Sequence, residues 1–264
     1  MNSSDSGRTR DREIERLLDT EGPKLLAFAG RFCGSESEAE DLLQETFARA
    51  YKSWDQLDDK ANARPWLYSI ARNTCQRMHR KRAGEPARLE SLDELLARST
   101  VTVPDLDPGA DPHRSRLRAE ARELVERGLS ALPPDFRIPL VLADVAELSI
   151  AEIAAVLGIK EATVKTRLHR ARLKLRAVLA AGLPQRKAPP ATHSRDVCLD
   201  LIGARLEAFD RGVEFPYSPE ELCERCRSVL GTLQLASESC AALAPESLST
   251  ALRDRLRSGL RGGN

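Results

Sequence analysis

The chain has 264 residues, of which 31% are charged and 4% aromatic, and its formal net charge is +1. This length predicts two or three domains, and the composition is typical of a mostly helical protein with small cores. The balanced charge excludes a uniformly basic nucleic-acid-binding protein, so that any basic surface must be local. We also expect a cytoplasmic protein, because no apolar run approaches the roughly 20 residues that cross a bilayer and the first residues lack the apolar region of a signal peptide.

The pattern along the chain predicts an all-α protein, because runs of alternating β-branched residues are missing. Segments rich in proline and glycine divide it into blocks. The predicted order is a helical domain at 11–82, a linker at 83–115 with one short helix, a second helical domain at 116–182, a linker at 183–192 and a cysteine-bearing tail at 193–264.

The first block separates its charges along the chain. Residues 36–59 contain eight acids against Arg49 and Lys52, and this part includes an amphipathic helix from Asp41 to Tyr51. Residues 64–82 are basic and interleave Trp66 and Tyr68 with arginines. Aromatic rings stack on unpaired bases while arginines hold the backbone, so this segment suits strand separation, although both rings also suit an ordinary core.

The second block contains the pattern of a helix-turn-helix at residues 149–176. Ser149 and Glu152 form a capping box, and Gly158 ends the first helix. The second helix begins near Glu161, with apolar residues on its inner face and polar and basic residues on its outer face. This predicts a recognition helix that enters the DNA major groove, in preference to a helical hairpin with a solvated basic face.

The tail contains four of the six cysteines, at positions 198, 223, 226 and 240. We expect a helix that starts just before Cys223, with Ser218 as its N-cap. Four thiolates from three segments would close a tetrahedral metal site. A redox pair at Cys223 and Cys226 and plain packing are the alternatives, and we assign Cys33 and Cys75 to packing.

Four motifs, DLLQETFARAY, RPWLYSIARNTCQRMHRKR, LPPDFRIPLVLADV and LSIAEIAAVLGIKEATVKTRLHRARLKLR, resemble those of the extracytoplasmic-function sigma factors. The resemblance implies a sigma factor that brings core RNA polymerase to promoter DNA and is not an enzyme. It implies polymerase contacts by Asp41, Gln44, Glu45 and Phe47. It further implies that residues of the first block bind the minus-10 element, namely Trp66, Arg72, Asn73, Arg77, Arg80 and Lys81. The minus-35 element would be bound by Thr163, Lys165, Thr166, Arg167, His169 and Arg170.

Arg77 departs from the family, in which an acid or asparagine is common, and this could alter the minus-10 sequence that is read.

The tail resembles that of the CorE-like sigma factors, which respond to metal ions without a separate anti-sigma factor. Copper-responding members have a further cysteine at the position of Glu238. The resemblance therefore implies zinc or cadmium bound by Cys198, Cys223, Cys226 and Cys240, with copper as the weaker alternative. Two other functions stay open, namely a helix-turn-helix regulator that never enters polymerase and a sigma factor with a redox-sensing tail.

Overall fold

The structure is a computed structural model that describes residues 3–33, 35–78, 102–104, 111–187, 189–218 and 221–262. Within these ranges the chain forms ten α-helices and one pair of three-residue strands. The all-α prediction is therefore confirmed. None of the described helices is both long and apolar enough to cross a membrane.

The first block folds into α1 (Ser3–Gly30), α2 (Glu36–Ser53) and α3 (Ala63–Met78). Two short 3-10 turns, Trp54–Gln56 and Lys60–Asn62, connect α2 to α3. The side chain of Ser35 caps α2, because its oxygen accepts a hydrogen bond from the backbone N–H of Glu38 at 3.2 Å. The three helices enclose one apolar core, which includes Phe28, Phe47, Trp54, Leu67 and Tyr68.

The second block folds into α4 (Asp111–Ser130), α5 (Pro134–Asp144), α6 (Ile150–Leu157) and α7 (Glu161–Gly182). Pro134 occupies the first turn of α5. Proline has no backbone N–H, and in the first turn that group would have no partner within the helix in any case. Helix α4 begins inside the segment that we expected to be a linker. The short helix expected near residues 92–97 lies outside the described residues.

The two strands join the segments that precede α4 and follow α7. Strand β1 (Thr102–Pro104) pairs antiparallel with β2 (Gln185–Lys187), with Val103 opposite Arg186. Both strands lie in predicted linkers. Three residues are too few to produce an alternating pattern, so the sequence carried no signal for them.

The tail folds into α8 (Arg195–Arg211), α9 (Glu224–Ala241) and α10 (Thr250–Gly262). The predicted start of α9 is wrong, because the N-cap is Cys223 and not Ser218, whose carbonyl oxygen accepts from the Glu221 N–H. Helix α9 packs against α4 and α7, while α10 packs against α2. Buried residues of α9 and of the segment around α10 belong to the same apolar cluster as the first two blocks. The tail is therefore docked on both blocks.

Candidate nucleic-acid interface and metal site

The helix-turn-helix is formed by α6 and α7. The Ser149 hydroxyl accepts from the Glu152 N–H at 3.2 Å, and the Glu152 carboxylate accepts from the Ser149 N–H at 2.8 Å, which confirms the capping box. Gly158 ends α6 with a φ of +66°, in the left-handed region that glycine adopts without a Cβ penalty. These local interactions fix the angle at which α7 leaves the turn.

The inner face of α7 packs on the core as predicted, since Val164, Leu168, Ala171 and Leu175 are buried. On the outer face, Thr163 and Thr166 are exposed. Two half-buried arginines lie against α5, where Arg167 is 3.4 Å from Asp135 and Arg170 lies 5.4 Å over the Phe136 ring. Four of the predicted DNA-binding residues thus share one side of the helix, namely Thr163, Thr166, Arg167 and Arg170.

The remaining two predicted residues of α7 lie against the tail. Lys165 Nζ is 3.1 Å from the Glu207 carboxylate of α8. His169 is half-buried, and this burial, together with the charge of Arg172, lowers its pKa. Helix α8 therefore covers part of the face that would enter the major groove.

Two basic residues further along α7 are buried rather than available to DNA. Arg172 is 2.8 Å from Asp144 of α5 and also pairs with Asp210 of α8. Burial alone would lower the pKa of Arg172, but the charges of Asp144 and Asp210 outweigh it and raise the pKa. Burial lowers the pKa of Arg176 to about 10. Sequence reasoning missed this network, because Asp210 lies in a different block and carries no local signal.

Helix α3 presents part of the predicted minus-10 surface. Asn73 and Arg77 are exposed, and Arg72 is half-buried. Arg77 donates to the Thr74 hydroxyl at 3.2 Å and lies 3.9 Å from Glu45. Arg80 and Lys81 lie outside the described residues.

The two aromatic residues of α3 differ in their surroundings. Tyr68 is fully buried and donates to Glu21 at 3.1 Å, so it belongs to the core and cannot stack on a base. Trp66 is half-buried and packs edge-to-face against Trp54, with ring centroids 6.1 Å apart.

Helix α2 presents the predicted polymerase surface, with one exception. Asp41, Gln44 and Glu45 are exposed on one face. Phe47 is 1% exposed and packs in the core between the helices, so its prediction as a polymerase contact is wrong. Its position two residues after Glu45 turns it about 200° around the helix, toward the inner side.

Three of the four tail cysteines come together. The Sγ atoms of Cys198, Cys223 and Cys226 all lie within 4.8 Å of one another. Burial raises the pKa of Cys223, but hydrogen bonds from Cys226 and Thr192 outweigh it and lower the pKa to about 7. Burial and hydrogen bonds with Cys198 and Cys223 raise the pKa of Cys226.

Cys240 does not join this cluster, which contradicts the predicted four-cysteine site. It lies on the same continuous helix as Cys226, and 14 residues of helix separate them by about 21 Å. The Cys240 thiol is instead buried, near Asp144 and Arg172, and burial raises its pKa. Cys33 and Cys75 are buried among apolar residues, as expected for packing.

The spacing of the three clustered sulfurs is close to the spacing that a soft metal ion requires. Thiolates at about 2.3 Å from a tetrahedral zinc ion lie about 3.8 Å apart, so small side-chain movements would bring these three sulfurs into place. His193 is adjacent, with its carbonyl oxygen 4.0 Å from Cys198 Sγ and its Nε2 3.0 Å from the Glu221 carbonyl oxygen.

Comparison with known proteins matches two separate parts of the chain. Residues 17–85 match the family model for sigma-70 region 2, and residues 122–175 match that for sigma-70 region 4. The ECF RNA polymerase sigma factor SigE of Mycolicibacterium smegmatis is 37% identical over 166 residues, which cover 63% of this chain and 61% of SigE. SigW of Bacillus subtilis, also an ECF RNA polymerase sigma factor, is 32% identical over 62% of this chain and 87% of SigW. The chain thus spans less than two thirds of SigE but most of SigW.

Among solved structures, the sigma factor RpoE in complex with the anti-sigma factor NepR, from Bartonella quintana, is 26% identical. The likeness covers 64% of this chain and 94% of RpoE, with a TM-score of 0.44. In that complex RpoE is bound by an anti-sigma factor. The expectation that no separate anti-sigma factor acts on this chain stays a prediction.

Proposed function

Because this chain belongs to the ECF RNA polymerase sigma factors of the sigma-70 family, we propose that it binds core RNA polymerase in the cytoplasm and directs it to specific promoters. The observation that carries this proposal is the capped helix-turn-helix, whose second helix has Thr163, Thr166, Arg167 and Arg170 on one outer side. Short polar side chains and arginines are the groups that read base edges and hold phosphates.

The three surfaces have separate roles in this proposal. Helix α7 enters the major groove at the minus-35 element, and the face of α3 with Asn73 and Arg77 contacts the minus-10 element. The acidic face of α2, with Asp41, Gln44 and Glu45, binds core polymerase. The protein is then an initiation factor whose residues position DNA and polymerase, and bond formation belongs to the polymerase.

Run-off transcription with purified core polymerase tests this proposal. We expect transcripts from a subset of promoters only when the protein is added. A helix-turn-helix regulator outside polymerase is the rival function, and it predicts operator binding without co-purification of core polymerase. Failure of the protein to bind core polymerase in a pull-down would favour that rival.

We further propose that a soft metal ion bound by Cys198, Cys223 and Cys226 controls the sigma activity. The supporting observation is the convergence of the three Sγ atoms within 4.8 Å. Thiolates prefer zinc, cadmium or Cu(I) to magnesium or calcium, and zinc or cadmium accept the tetrahedral arrangement. His193 replaces Cys240 as the proposed fourth ligand, because its backbone flanks Cys198. Its ring must rotate to bind the ion, since its Nε2 contacts the Glu221 carbonyl oxygen and its nitrogens lie outside the group of three sulfurs.

Metal titration of single variants separates the ligands. We expect Cys198→Ser, Cys223→Ser and Cys226→Ser to lose zinc or cadmium binding and His193→Ala to weaken it, while Cys240→Ser keeps wild-type stoichiometry. Transcription assays with zinc, cadmium and copper then show whether the ion regulates. If variants that lose the ion keep wild-type regulation, the ion stabilises the tail but does not regulate the sigma activity.

A redox sensor is the second candidate function of the same thiols. Cys223 accepts a hydrogen bond from the Cys226 N–H at 3.4 Å at the start of α9, and this interaction stabilises a thiolate. The two candidates differ in their stimulus. A redox sensor responds to peroxide in the presence of a metal chelator, whereas a metal sensor does not.

A further inference from the structure

The last helix of the chain lies along the α1–α2 hairpin. Leu248, Leu252 and Leu256 repeat every four residues, and each is no more than 5% exposed. They belong to the apolar cluster that includes the core of the first block. Leu248 approaches Gly22 of α1 so closely that a Cβ at Gly22 would lie 2.8 Å from Leu248 Cδ1. Leu248 and Gly22 are therefore closely packed, and a larger residue at position 22 would disturb the contact.

The charges of this contact are complementary. Arg253 lies 3.6 Å from Asp19, and Arg257 lies 3.8 Å from both Glu15 and Asp19 of α1. Arg255 pairs with Glu40 of α2. We refer to Glu15, Asp19 and Glu40 as the acidic rim. A basic amphipathic helix thus covers an acidic rim around an apolar centre.

The same helix reaches the proposed polymerase surface. A Cβ at Gly259 would lie 3.5 Å from Nε2 of Gln44, which is one of the residues that we assign to polymerase binding. Glu40, on the rim, directly precedes Asp41, another of those residues. Asp41 and Glu45 themselves stay exposed. A large partner that used this face of α2 would collide with α10.

We infer that the acidic rim and the apolar centre between α1 and α2 form a docking surface for a basic amphipathic helix, which residues 248–262 occupy until core polymerase displaces them. This inference rests on the proposed function, because it takes α2 as the polymerase-binding helix. The C-terminal helix is then an intramolecular competitor. Its ion pairs are partly exposed, so that each contributes modestly. A partner with a larger contact area can displace the helix, and like charges at these positions would repel it.

The apparent affinity of a binding site that is free in only a fraction of molecules is reduced by that fraction. A helix docked in about 90% of molecules would weaken polymerase binding about tenfold. Releasing the helix should therefore raise the affinity for core polymerase by up to this factor.

The test compares full-length variants in binding to core polymerase. The double variant Arg253→Glu, Arg257→Glu places like charges against Glu15 and Asp19, and we expect it to bind about tenfold more tightly than wild type. Adding Glu15→Arg and Asp19→Arg to that variant restores opposite charges and should return the affinity to the wild-type value. The matched control is Arg118→Glu, Arg227→Glu, which makes the same change of charge at two exposed positions outside the contact.

Hydrogen exchange of the α10 amides reports docking independently of polymerase. We expect protection in wild type and in the charge-swapped variant, and loss of protection in the double variant. The inference is wrong if α10 is unprotected in wild type, or if its release leaves polymerase affinity unchanged. If no variant binds core polymerase at all, while exchange shows α10 docked and then released, the proposed function is wrong and the competitor role falls with it.

Discussion

Arg167 and Arg170 reach the outer side of α7 by lying against α5, through Asp135 and the Phe136 ring. This support holds long, flexible side chains close to where base edges would lie. We predict that Arg167→Ala, Arg170→Ala costs about 1–3 kcal/mol of binding for each base contact that is lost. Preference at one or two minus-35 positions should relax. Binding to duplexes with single base-pair changes measures both effects, with Arg127→Ala on α4 as the control. If the double variant keeps the wild-type base preference at the minus-35 element, these arginines do not contact bases.

His169 gives the docked tail a pH dependence. Its pKa is lowered by burial and by Arg172, with Asp210 acting in the opposite direction. An exposed histidine has a pKa near 6.5, so protonation favours the arrangement in which His169 is exposed. Docking of α8 should therefore be complete above about pH 6.5 and weaken as the pH falls below it.

NMR titration of the His169 ring checks this expectation, because the full-length protein should show a pKa below that of a free histidine. His169→Gln should remove this part of the pH dependence of α8 protection. A normal pKa for His169 in the full-length protein would contradict the burial described above.

At the scale of elements, the exposed acids of α2 should carry polymerase binding. Glu45 lies 2.5 Å from Arg49 in an exposed pair, and exposed pairs contribute little to stability. We predict that Asp41→Lys, Glu45→Lys leaves the fold intact and weakens core polymerase binding by about tenfold or more, because attraction becomes like-charge repulsion. Glu123→Lys, Asp200→Lys makes the same change at two exposed positions elsewhere. Equal affinity of the two doubly changed proteins would mean that α2 is not the docking helix.

The turn between α6 and α7 depends on one glycine. Gly158→Ala places a Cβ at a φ of +66°, and this left-handed backbone costs about 1–2 kcal/mol for other residues. We predict a corresponding fall in the free energy of unfolding, measured by chemical denaturation. Gly30→Ala is the matched control, since an added Cβ meets nothing within 4 Å there and no positive φ is involved. Similar effects of the two substitutions would show that Gly158 is not a required turn residue.

The sequence predicted the helix-turn-helix well because its determinants are local. The capping box, Gly158 and the apolar face of α7 all lie within one short segment, and each acts on its neighbours. The metal site was predicted only in part. Cys198, Cys223 and Cys226 do converge, but Cys240 lies at the far end of the continuous helix α9, which packs against α4 and α7. Contacts such as Arg255 with Glu40 join opposite ends of the chain and leave no periodic signal.

At the scale of the whole molecule, the tail places acids beside a helix that we propose to bind DNA. Glu207 forms an ion pair with Lys165, and both Asp210 and Asp144 form ion pairs with the buried Arg172. A cavity of about 730 Å³ lies along this seam, between residues such as Ile153 and Leu168 on one side and Leu206 and Phe209 on the other. Because the interface between α8 and the helix-turn-helix is incompletely packed, fewer van der Waals contacts are lost when α8 moves away.

We predict that Glu207→Gln frees Lys165 for a phosphate, because the acid that competes with DNA is gone. The slope of log affinity for minus-35 DNA against log salt should become steeper by about 0.9, the contribution of one further phosphate contact. Glu214→Gln, an exposed position beyond α8, is the control. An unchanged slope for Glu207→Gln would mean that Lys165 does not contact the DNA backbone.

The continuity of α9 has a mechanical consequence. This helix of 18 residues is a stiff rod about 27 Å long. Cys226 lies near one end and Cys240 near the other, where the charges of Asp144 and Arg172 act on its thiol. A tilt of about 5° at the thiol end moves the far end by about 2 Å over this length. That displacement is comparable with a hydrogen-bond length, so an ion at the proposed thiol site that tilted α9 would shift the Cys240 end of the helix relative to α7 by enough to break or restore a contact there.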